Sequence, residues 1–492
     1  MRASSRHRRR LIVITNWRDL KHPQAGGAEL VCERLARAFV QRGHDVVLLT
    51  SAVAGEPHKE QVADGYWIVR RGGTFTVYLW ALAWLVWHRK YVRGVLDSQN
   101  GIPFFTPLVV RRRTPVLMLL HHVHHDQFLL YFSPAMAKVG QWLERRGAGL
   151  VYRNRTIIAI SPSSRKGVRL RLGLKGDIVV VPPGSESVVS SLPGIRGRCE
   201  RPRIVCVGRL VTHKAMAAVV EAMPSVVLEL PEAELHIVGE GPERPALEKL
   251  VAELGLAGRV VVHGALPNHE RDQLMRTAWM SVNASEGEGW GLSVIEANSL
   301  GVPVLAYRRP GLRDSIRDNE TGWLIEEGRP LGEAMVDALR QMADEPSAVA
   351  MGKRTRQWAA QFTWDGMADQ VRALLRAEAG RLAQSPNNRR TNTDLATVVR
   401  IPAELLPEGE VPTFRDTDKC VVSPGELVVL LRNTDTETAR VALRRAGLSP
   451  SAIDDERVRI TVAQPVDLVS PAIAAAPVLR VPHERPEDAL AG

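Results

Sequence analysis

Short runs of β-branched and apolar residues alternate with longer helical stretches, and this alternation restricts the fold more than any other feature of the chain. The stretch GAELVCERLARAFVQRG (27–43) has apolar residues near helical spacing and ends in Gly43, which suits a helix C-cap. Strands that alternate with helices predict a parallel α/β sheet. The predicted strands of the first half are LIVIT (11–15), DVVLLT (45–50), WIVRR (67–71), GVLDSQ (94–99), PVLMLL (115–120), TIIAIS (156–161) and IVVVPPG (178–184).

The alternation starts again in the second half, after a segment rich in Gly, Pro and Arg that predicts a linker. The new runs are RIVCVGRL (203–210), AELHIVGEG (233–241), RVVVHG (259–264), MSVNAS (280–285), VPVLAY (302–307) and GWLIEEG (322–328). A chain of 492 residues is long enough for two or three domains. We therefore expect an α/β protein with two Rossmann-like, doubly wound domains that face a cleft, followed by a small C-terminal appended module. The predicted parts are residues 1–190, the linker 191–203, residues 204–383 and the appended module 394–492 with a partly disordered tail.

The positive charge is concentrated in the first half of the chain. The net charge is +11, and residues 1–200 contain 31 Lys and Arg against 13 Asp and Glu, whereas the remainder contains 34 against 41. Such an asymmetry predicts an anionic partner for the first half, either nucleic acid, an acidic membrane surface or a phosphorylated acceptor. No nucleic-acid-binding motif is recognisable and the basic excess is diffuse, so no nucleic-acid partner is expected.

The sequence predicts a soluble or peripheral protein of the reducing cytosol. The basic start MRASSRHRRR is followed by only LIVIT, which is shorter than the roughly 7–15 apolar residues of a secretory signal. The longest apolar run, 77–87, is shorter than the ~20 residues needed to span a bilayer. The four cysteines contain no Cys-x-x-Cys pair.

The segment SEGEGWGLSVIEANS (285–299) carries the strongest chemical signal. A glycine-rich turn follows a predicted strand, and a helix is expected to start at Gly291 and Leu292, where free N–H groups and the helix dipole favour phosphate oxygens. Glu288 lies in the turn and Glu296 lies in the second turn of the helix. A plain strand–turn–helix with two solvated glutamates is the alternative interpretation.

The segment VGRLVTHK (207–214) places two cations after another predicted strand. Arg209 can donate two parallel hydrogen bonds to a phosphate, and Lys214 adds a single ammonium charge. Both suit a diphosphate, because a departing nucleoside diphosphate develops negative charge. Taken alone, two such cations are more often ordinary surface charges.

Together these two segments resemble the retaining glycosyltransferases of family 4, which have the GT-B fold. The match consists of the Glu-x7-Glu pair Glu288 and Glu296, the Gly-Arg-Leu-x4-Lys element from Gly208 to Lys214, and the ordered pieces IVGEGPER, VVHGALPNHE and NETGWLIEEG. It covers roughly residues 10–380 and is most specific in the second half. Ala215 stands where the family usually has glycine, and we expect this departure to have little effect.

The resemblance implies a role for each matching residue. Arg209 and Lys214 would bind the donor diphosphate, and the backbone of Gly291 and Leu292 would hold a phosphate. Glu288 would contact the hydroxyls of the transferred sugar and Glu296 the ribose. The backbone around Leu266 would meet the base of a UDP- or GDP-linked donor.

The first half resembles the family more loosely. Gly26 and Gly27 match its first glycine-rich loop at a helix start facing the donor phosphate, although a Gly-Gly pair is also an ordinary flexible turn. His121, at the carboxyl end of PVLMLL, matches a histidine that lies beside the donor sugar in the family. His121 and Glu288 are thus the expected catalytic residues. The neighbouring His122, His124 and His125, with Asp126, leave a metal site as a minor alternative to a buried histidine cluster, and no metal is expected.

Three tryptophans near residue 80 allow two interpretations. Trp80, Trp84 and Trp87 recur near helical spacing, which favours packing against the sheet over contact with a membrane. The basic residues that follow, Arg89, Lys90 and Arg93, and later 111–113, keep a peripheral enzyme at an anionic bilayer as the alternative.

The predicted function is sugar transfer, without a metal or other cofactor, from a nucleotide-sugar donor to a hydroxyl of a glycan or lipid-linked acceptor in cell-envelope glycan, glycolipid or polysaccharide synthesis. Retention of anomeric configuration is an implication of the family resemblance. Two other classes remain as alternatives: a sugar-nucleotide epimerase on the same fold, and a non-enzymatic basic scaffold that binds a membrane or nucleic acid.

Overall fold

The computed structural model describes most of the chain, and the described residues form parts of two compact units, Met1–Arg390 and Thr391–Gly492. The described residues are 11–123, 128, 132–174, 177–185, 198–384, 396–406, 412, 414–415, 418–423, 425–432, 434–455 and 457–462. Most of the predicted linker, the predicted disordered tail, and the histidine cluster residues His124 and His125 with Asp126 lie outside these ranges. The first unit contains two α/β domains.

The first domain is built on an eight-stranded sheet. Its strands are β1 (Leu11–Thr15), β2 (Asp45–Thr50), β3 (Lys59–Gln61), β4 (Trp67–Arg70), β5 (Val92–Gln99), β6 (Val116–Leu120), β7 (Ile157–Ala159) and β8 (Ile178–Val180). They lie in the order β3-β4-β2-β1-β5-β6-β7-β8, and all neighbours are parallel except the antiparallel pair β3 and β4. The apolar runs form buried central strands because helices cover both faces of a parallel sheet. The strand order reverses between β1 and β5.

The helices of this domain connect successive strands. They are α1 (Gly27–Gln41), α2 (Thr76–His88), α3 (Pro134–Trp142), α4 (Ala148–Val151) and α5 (Pro162–Gly167). Helix α1 buries Val31, Leu35 and Phe39 against the sheet, as its apolar spacing predicts.

The second domain repeats the architecture with six parallel strands. They are β9 (Arg203–Val207), β10 (Glu234–Val238), β11 (Val260–Gly264), β12 (Met280–Asn283), β13 (Val304–Tyr307) and β14 (Gly322–Ile325), in the order β11-β10-β9-β12-β13-β14. The helices are α6 (Met216–Glu229), α7 (Arg244–Glu253), α8 (Asn268–Arg276), α9 (Leu292–Ser299), α10 (Leu312–Ser315), α11 (Leu331–Ala343) and α12 (Glu345–Ala359). Here the strand order reverses between β9 and β12. Both domains therefore have the doubly wound topology expected from the sequence.

The last helix of the first unit, α13 (Trp364–Gln384), returns to the first domain. Arg42, which caps the carboxyl end of α1, forms ion pairs with two aspartates of α13, Asp365 and Asp369. Further along α13, the buried Glu378 accepts hydrogen bonds from Arg155 at 3.4 Å and Arg381 at 2.6 Å. The sequence placed this helix in the second domain, up to residue 383, because it is continuous in sequence with that domain. Its packing partners show that it lies on the first domain instead.

The second unit is a small α+β module. Its strands β15 (Ala396–Pro402), β16 (Lys419–Ser423), β17 (Glu426–Arg432) and β18 (Arg459–Val462) form an antiparallel sheet in the order β16-β17-β15-β18. Helices α14 (Thr436–Arg445) and α15 (Pro450–Ile453) contribute Leu443 and Ile453 to a core with Val399 and Val429. This module is the appended part expected after residue 394, although β16 was not among the predicted strands.

Helix α2 is apolar on all sides but buries only one of them. Its fully buried residues are Val77, Ala81 and Leu85, whereas Trp80 and Trp84 are partly buried against this core. Trp87 is 84% exposed, so the predicted packing of this tryptophan against the sheet is wrong. A helix that is apolar all round carries no periodic signal for which side faces the core. Within the part of the chain that the structure describes, no helix has both the length and the apolar composition needed to cross a bilayer.

Candidate active site

The topology places one candidate ligand site in each domain. In an open parallel sheet, ligands bind beyond the carboxyl ends of the strands, next to the point where the strand order reverses. In the second domain this point lies between β9 and β12, which are followed by Arg209 and by the glycine-rich turn. In the first domain it lies between β1 and β5, which are followed by the loop leading to Gly26 and by Asn100. Most of the predicted site residues therefore follow the strands that flank these two positions.

Lys214 and Glu288 meet at the switch point of the second domain. Lys214 ends a short 3₁₀ turn after β9, and its Nζ forms an ion pair with the Glu288 carboxylate. Glu288 also accepts a hydrogen bond of 2.9 Å from Ser285 Oγ and is only 16% exposed. Burial opposes ionisation of Glu288, but Lys214 and Ser285 outweigh burial and hold the pKa of this carboxyl below its ordinary value.

The glycine-rich turn ends at the predicted helix start. Gly291 has φ of 94°, in the left-handed region that glycine adopts easily, and α9 begins at Leu292. The first N–H groups of a helix have no partner within the helix, so the geometry and the dipole at this end favour an anion. Glu296 lies half-buried in the second turn of α9. Glu288 therefore lies in the turn before the helix and Glu296 in its second turn, as the sequence predicts.

Leu266 lies at the neighbouring strand end. It is half-buried in the short connection between β11 and α8. The carbonyl of Gly264, just before it, accepts a hydrogen bond of 2.9 Å from the N–H of Gly239, which follows β10. The connections after β10 and β11 thus lie side by side, at the same edge of the sheet as Lys214, Glu288 and the start of α9.

In the first domain, a buried carboxylate organises the predicted glycine loop. Glu29 is 1% exposed, and its Oε2 accepts a hydrogen bond of 2.7 Å from the N–H of Gly26. Its Oε1 accepts hydrogen bonds from Arg18 Nε at 3.1 Å and Asn100 Nδ2 at 3.0 Å. Sequence reasoning missed these three polar residues. The N-cap is Gly26 and not a serine or threonine, so the sequence lacked the capping-box signature that would have indicated Glu29.

His121 lies at the carboxyl end of β6 and is buried. Its Nε2 is 2.8 Å from Ser98 Oγ, and that hydroxyl donates a hydrogen bond of 3.2 Å to Asn16 Oδ1. With the single Ser98 proton donated to Asn16, the hydrogen-bond network assigns the imidazole proton to Nε2 and a lone pair to Nδ1. Among the described residues, no hydrogen-bond partner meets this Nδ1. Burial lowers the pKa of His121 to about 4, so the ring is neutral at pH 7.

The predicted glycine loop of the first domain, Gly26 and Gly27, faces Arg209 and the start of α9 in the second domain. A Cβ added to Gly26 would lie 3.5 Å from Arg209 Nε, and one added to Gly27 would lie 3.0 Å from Leu292 Cδ1. Arg209 also reaches across the cleft, with its Nη1 donating to the carbonyl of Gln24 at 3.3 Å. Four of the predicted residues therefore line the same part of the cleft from opposite sides.

The glycine-rich turn also touches the first domain at His121. A Cβ on Gly289 would lie 2.3 Å from the carbonyl oxygen of His121 and 2.7 Å from Ile160 Cδ1. Ser164 Oγ donates to the Gly289 carbonyl at 3.2 Å. Nearby, the N–H of Ser163 donates to Asp314 Oδ2 at 2.9 Å. These contacts join residues more than 100 positions apart, and no local sequence signal indicated them.

His122 lies close enough to Glu288 to sense its charge. Burial lowers the pKa of His122, and the Glu288 carboxylate opposes that effect. Within the described ranges, no group of three or more His, Cys, Asp or Glu side chains has an arrangement that could hold a metal ion.

Two family models match the chain, one in each domain. The model described as glycosyl transferases group 1 matches residues 196–358, and the model described as glycosyltransferase family 4 matches residues 25–186. The two matched regions follow one another and together span both Rossmann-like domains.

The chain is also similar to individual curated proteins. It is 35% identical over 188 residues to a GDP-mannose-dependent alpha-(1-6)-phosphatidylinositol monomannoside mannosyltransferase from Mycobacterium tuberculosis, covering 36% of this chain and 48% of the relative. It is 29% identical over 222 residues to a D-inositol 3-phosphate glycosyltransferase from Corynebacterium urealyticum, covering 41% and 52%. The matches thus span about half the length of these relatives.

Solved structures share the architecture. A sucrose-phosphate synthase from Thermosynechococcus elongatus superposes with a TM-score of 0.62 at 22% identity, covering 77% of this chain and all of that one. A glycosyltransferase from Rickettsia africae gives a TM-score of 0.61 at 16% identity, with coverage of 75% and 98%. At such identities the likeness concerns the fold alone. From the two family matches and the shared architecture, the chain belongs to the group 1, family 4 glycosyltransferases and has the GT-B fold.

Proposed function

We propose that the chain transfers a sugar from a nucleoside-diphosphate sugar to a hydroxyl group of an acceptor, with retention of the anomeric configuration. The observation that carries the proposal is the pairing across the cleft of Gly26 and Gly27 with Arg209 and Leu292. The Arg209 guanidinium and the backbone N–H groups at the start of α9 beside this contact fit a diphosphate, because charge-assisted hydrogen bonds to phosphate are among the strongest that proteins make.

The donor diphosphate binds between Arg209, Lys214 and the start of α9. These groups balance the charge that develops on the leaving diphosphate, so the proposed reaction uses no metal ion and no other cofactor. Glu296 holds the ribose, and the backbone near Leu266 meets the base. Both UDP- and GDP-linked donors remain in the proposal, and GDP-mannose is the first to test because the mycobacterial relative is named as GDP-mannose-dependent.

The reaction breaks the bond between the anomeric carbon and the phosphate oxygen, whose electron pair leaves with the diphosphate. The acceptor oxygen then bonds to the oxocarbenium-like carbon from the same face. Its proton goes to the oxygen of the departing phosphate. Glu288 positions the sugar hydroxyls, and the lone pair on His121 Nδ1 accepts a hydrogen bond from the sugar at the first-domain side. Neutral His121 suits this acceptor role, because a protonated ring would have no lone pair to offer.

Closure of the two domains excludes water, which would otherwise hydrolyse the donor. The close approach of Gly289 to His121 supports this view, because it leaves no room for a water molecule between the two backbones.

The acceptor is a glycan or a lipid-linked molecule, and the enzyme works in the cytoplasm at the inner face of the membrane, in cell-envelope glycan, glycolipid or polysaccharide synthesis. The mycobacterial relative is named for a phosphatidylinositol monomannoside acceptor. The excess of Lys and Arg over residues 1–200 supports an acceptor or surface that carries negative charge.

A donor screen by thermal shift tests the proposal. GDP-mannose and a panel of other GDP- and UDP-sugars are added to the wild type and to Lys214→Ala and Glu296→Ala, with the exposed Lys353→Ala as the matched control. At least one donor should raise the wild-type and control melting temperatures. Each site variant should need about 10–100-fold more donor, the loss expected for one charged hydrogen bond.

Two results would contradict the site. One is that no nucleotide sugar stabilises the wild type, and the other is that both site variants respond as Lys353→Ala does. Conversion of the donor sugar to its epimer without any acceptor would instead support the epimerase alternative.

A further inference from the structure

Helix α2 presents an apolar surface to solvent. Its thirteen residues, TVYLWALAWLVWH, include no Lys, Arg, Asp or Glu. Only Val77, Ala81 and Leu85 are fully buried, whereas Leu79 is 72% and Trp87 is 84% exposed. A surface helix of a soluble protein normally carries polar residues on its outer side, so this outer side is unusual.

Neighbouring residues extend the apolar surface beyond α2. Phe75, just before the helix, is exposed, and its ring centre lies 6.0 Å from that of Phe132. Tyr78 packs on Phe104 at 4.5 Å between ring centres, next to the turn that carries Leu108, which is 67% exposed. Exposed apolar residues therefore occur on α2, just before it at Phe75, and at Leu108 in the turn that follows Phe104, a packing partner of α2.

Six exposed cations lie at the carboxyl end of α2. Arg89 and Lys90 follow the helix directly, and four arginines line a groove of about 330 Å³ with Val92 and Thr114. Within the ranges that the structure describes, none of the six forms an ion pair with a carboxylate. The four groove arginines are Arg93, Arg111, Arg112 and Arg113.

The position of this surface is compatible with an open cleft. The groove lies where β5 and β6 begin, which is the edge of the sheet opposite the carboxyl ends that hold the candidate site. As a crossover between the parallel strands β4 and β5, α2 runs from the cleft edge to the basic edge. A planar partner docked on α2 would therefore lie next to the first domain and leave the cleft open.

We infer that this surface, made of α2, Leu108 and the groove arginines, docks on an anionic lipid bilayer. The outer side of α2 enters the interfacial region while the arginines bind lipid phosphates as forks. At thirteen residues, α2 is shorter than a membrane span and lies in the plane of the interface. A nucleic acid would match the cations, but it offers no partner for the exposed Leu79 and Trp87. Docking of this kind deepens the proposed function and rests on its placement of the acceptor at a membrane.

Vesicle co-sedimentation of the full chain tests the inference. The vesicles are phosphatidylcholine alone or phosphatidylcholine with about one third phosphatidylglycerol. We expect the wild type to pellet with the anionic vesicles only, and to be released by high salt. Each arginine removed from the groove should weaken binding about 5-fold, so Arg111→Ser, Arg112→Ser and Arg113→Ser together should weaken it by about two orders of magnitude.

The matched control removes three exposed cations of the second domain, Lys249→Ser, Arg276→Ser and Lys353→Ser, and leaves the same net charge. This variant should pellet like the wild type. A second variant, Leu79→Ser with Trp87→Ser, removes the apolar part and should lose binding while keeping its melting temperature, because both side chains are exposed.

Three outcomes would overturn the inference. In the first, the wild type stays in the supernatant with anionic vesicles. In the second, the arginine variant and the control variant bind these vesicles equally. In the third, the wild type binds duplex RNA or DNA but no vesicles. Thermal shift with the donor, measured on the same variants without lipid, separates this failure from failure of the proposed function, because the surface lies outside the donor site.

Discussion

Replacement of Gly289 by alanine tests whether the contact of the glycine-rich turn with the first domain is the reactive arrangement. The new Cβ would lie 2.3 Å from the carbonyl oxygen of His121 and 2.7 Å from Ile160 Cδ1. An ordinary contact needs about 3.4 Å, so the turn and the end of β6 must separate by about 1 Å. The obstacle is a backbone carbonyl, and no side-chain rotation relieves it.

A displacement of about 1 Å between reacting groups costs on the order of 100-fold in rate. We therefore expect Gly289→Ala to lower kcat/KM about 100-fold, which corresponds to ~2.7 kcal/mol of transition-state stabilisation. The assay is the initial rate of nucleoside-diphosphate release, with thermal unfolding to confirm that the variant is folded.

Gly287→Ala is the matched control from the same turn. A Cβ at Gly287 meets nothing within 4 Å, and its φ is not in the left-handed region, so this variant should retain wild-type activity. The reasoning is refuted if the two variants differ by less than about 3-fold, because the contact with His121 would then have no part in catalysis.

Two further predictions concern stability. Since the pKa of buried His121 is lowered to about 4, the unfolded state takes up its proton first, and stability is lost as the pH falls from about 6.5 to about 4. Between pH 7 and pH 5 this residue should cost about 2 kcal/mol in urea unfolding, and His121→Gln should remove that part of the loss. Ala215 has φ of 49°, a conformation that costs an alanine about 1–2 kcal/mol, so Ala215→Gly should stabilise the protein by about 0.5–1 kcal/mol after the greater unfolded-state entropy of glycine is subtracted.

Each of these predictions has a control of the same chemistry. The exposed His269→Gln should leave the pH dependence as it is in the wild type, and equal profiles for the two histidine variants would contradict burial of His121 as the cause. Ala218→Gly lies within the right-handed helix α6 and should destabilise by up to about 1 kcal/mol. If Ala215→Gly destabilises to the same degree, the left-handed conformation of Ala215 is not a source of strain.

The sequence was a reliable guide where local pattern and burial agree. Central strands such as Leu11–Thr15 and Val116–Leu120 are nearly continuous apolar runs, which suits strands buried on both faces of a parallel sheet. Strand β3 was not predicted because it consists of Lys59, Glu60 and Gln61 and has no apolar residue to signal it. Strand β16 was also missed. The glycine-rich turn and the helix start at Leu292 were recognisable for a local reason as well, because both are set by neighbouring residues, and phosphate binding there stays a prediction.

Patterns that were locally ambiguous needed the structure. In α2, apolar residues on every side conceal which stripe faces the core, and only packing showed that Val77 is buried while Trp87 is exposed. Helix α13 follows the second domain in sequence, but Glu378 accepts a hydrogen bond from Arg155 and Arg381 donates one to the carbonyl of Asn154, and both contacts bind the helix to the first domain. Side-chain packing decides such cases, because helical propensity is the same whichever domain the helix covers.

By itself the sequence determined the two doubly wound domains and their family, because both follow from residues close together along the chain. The donor-binding roles of Arg209, Lys214, Glu288 and Glu296 stay a prediction of the same local patterns. Only the tertiary structure placed Gly26 against Arg209, brought Gly289 to His121, and surrounded the Gly26 loop with Glu29 and its partners. These contacts depend on how two separately folded sheets are placed against each other. That placement depends on the fit of surfaces more than 100 residues apart, which no local pattern in the sequence encodes.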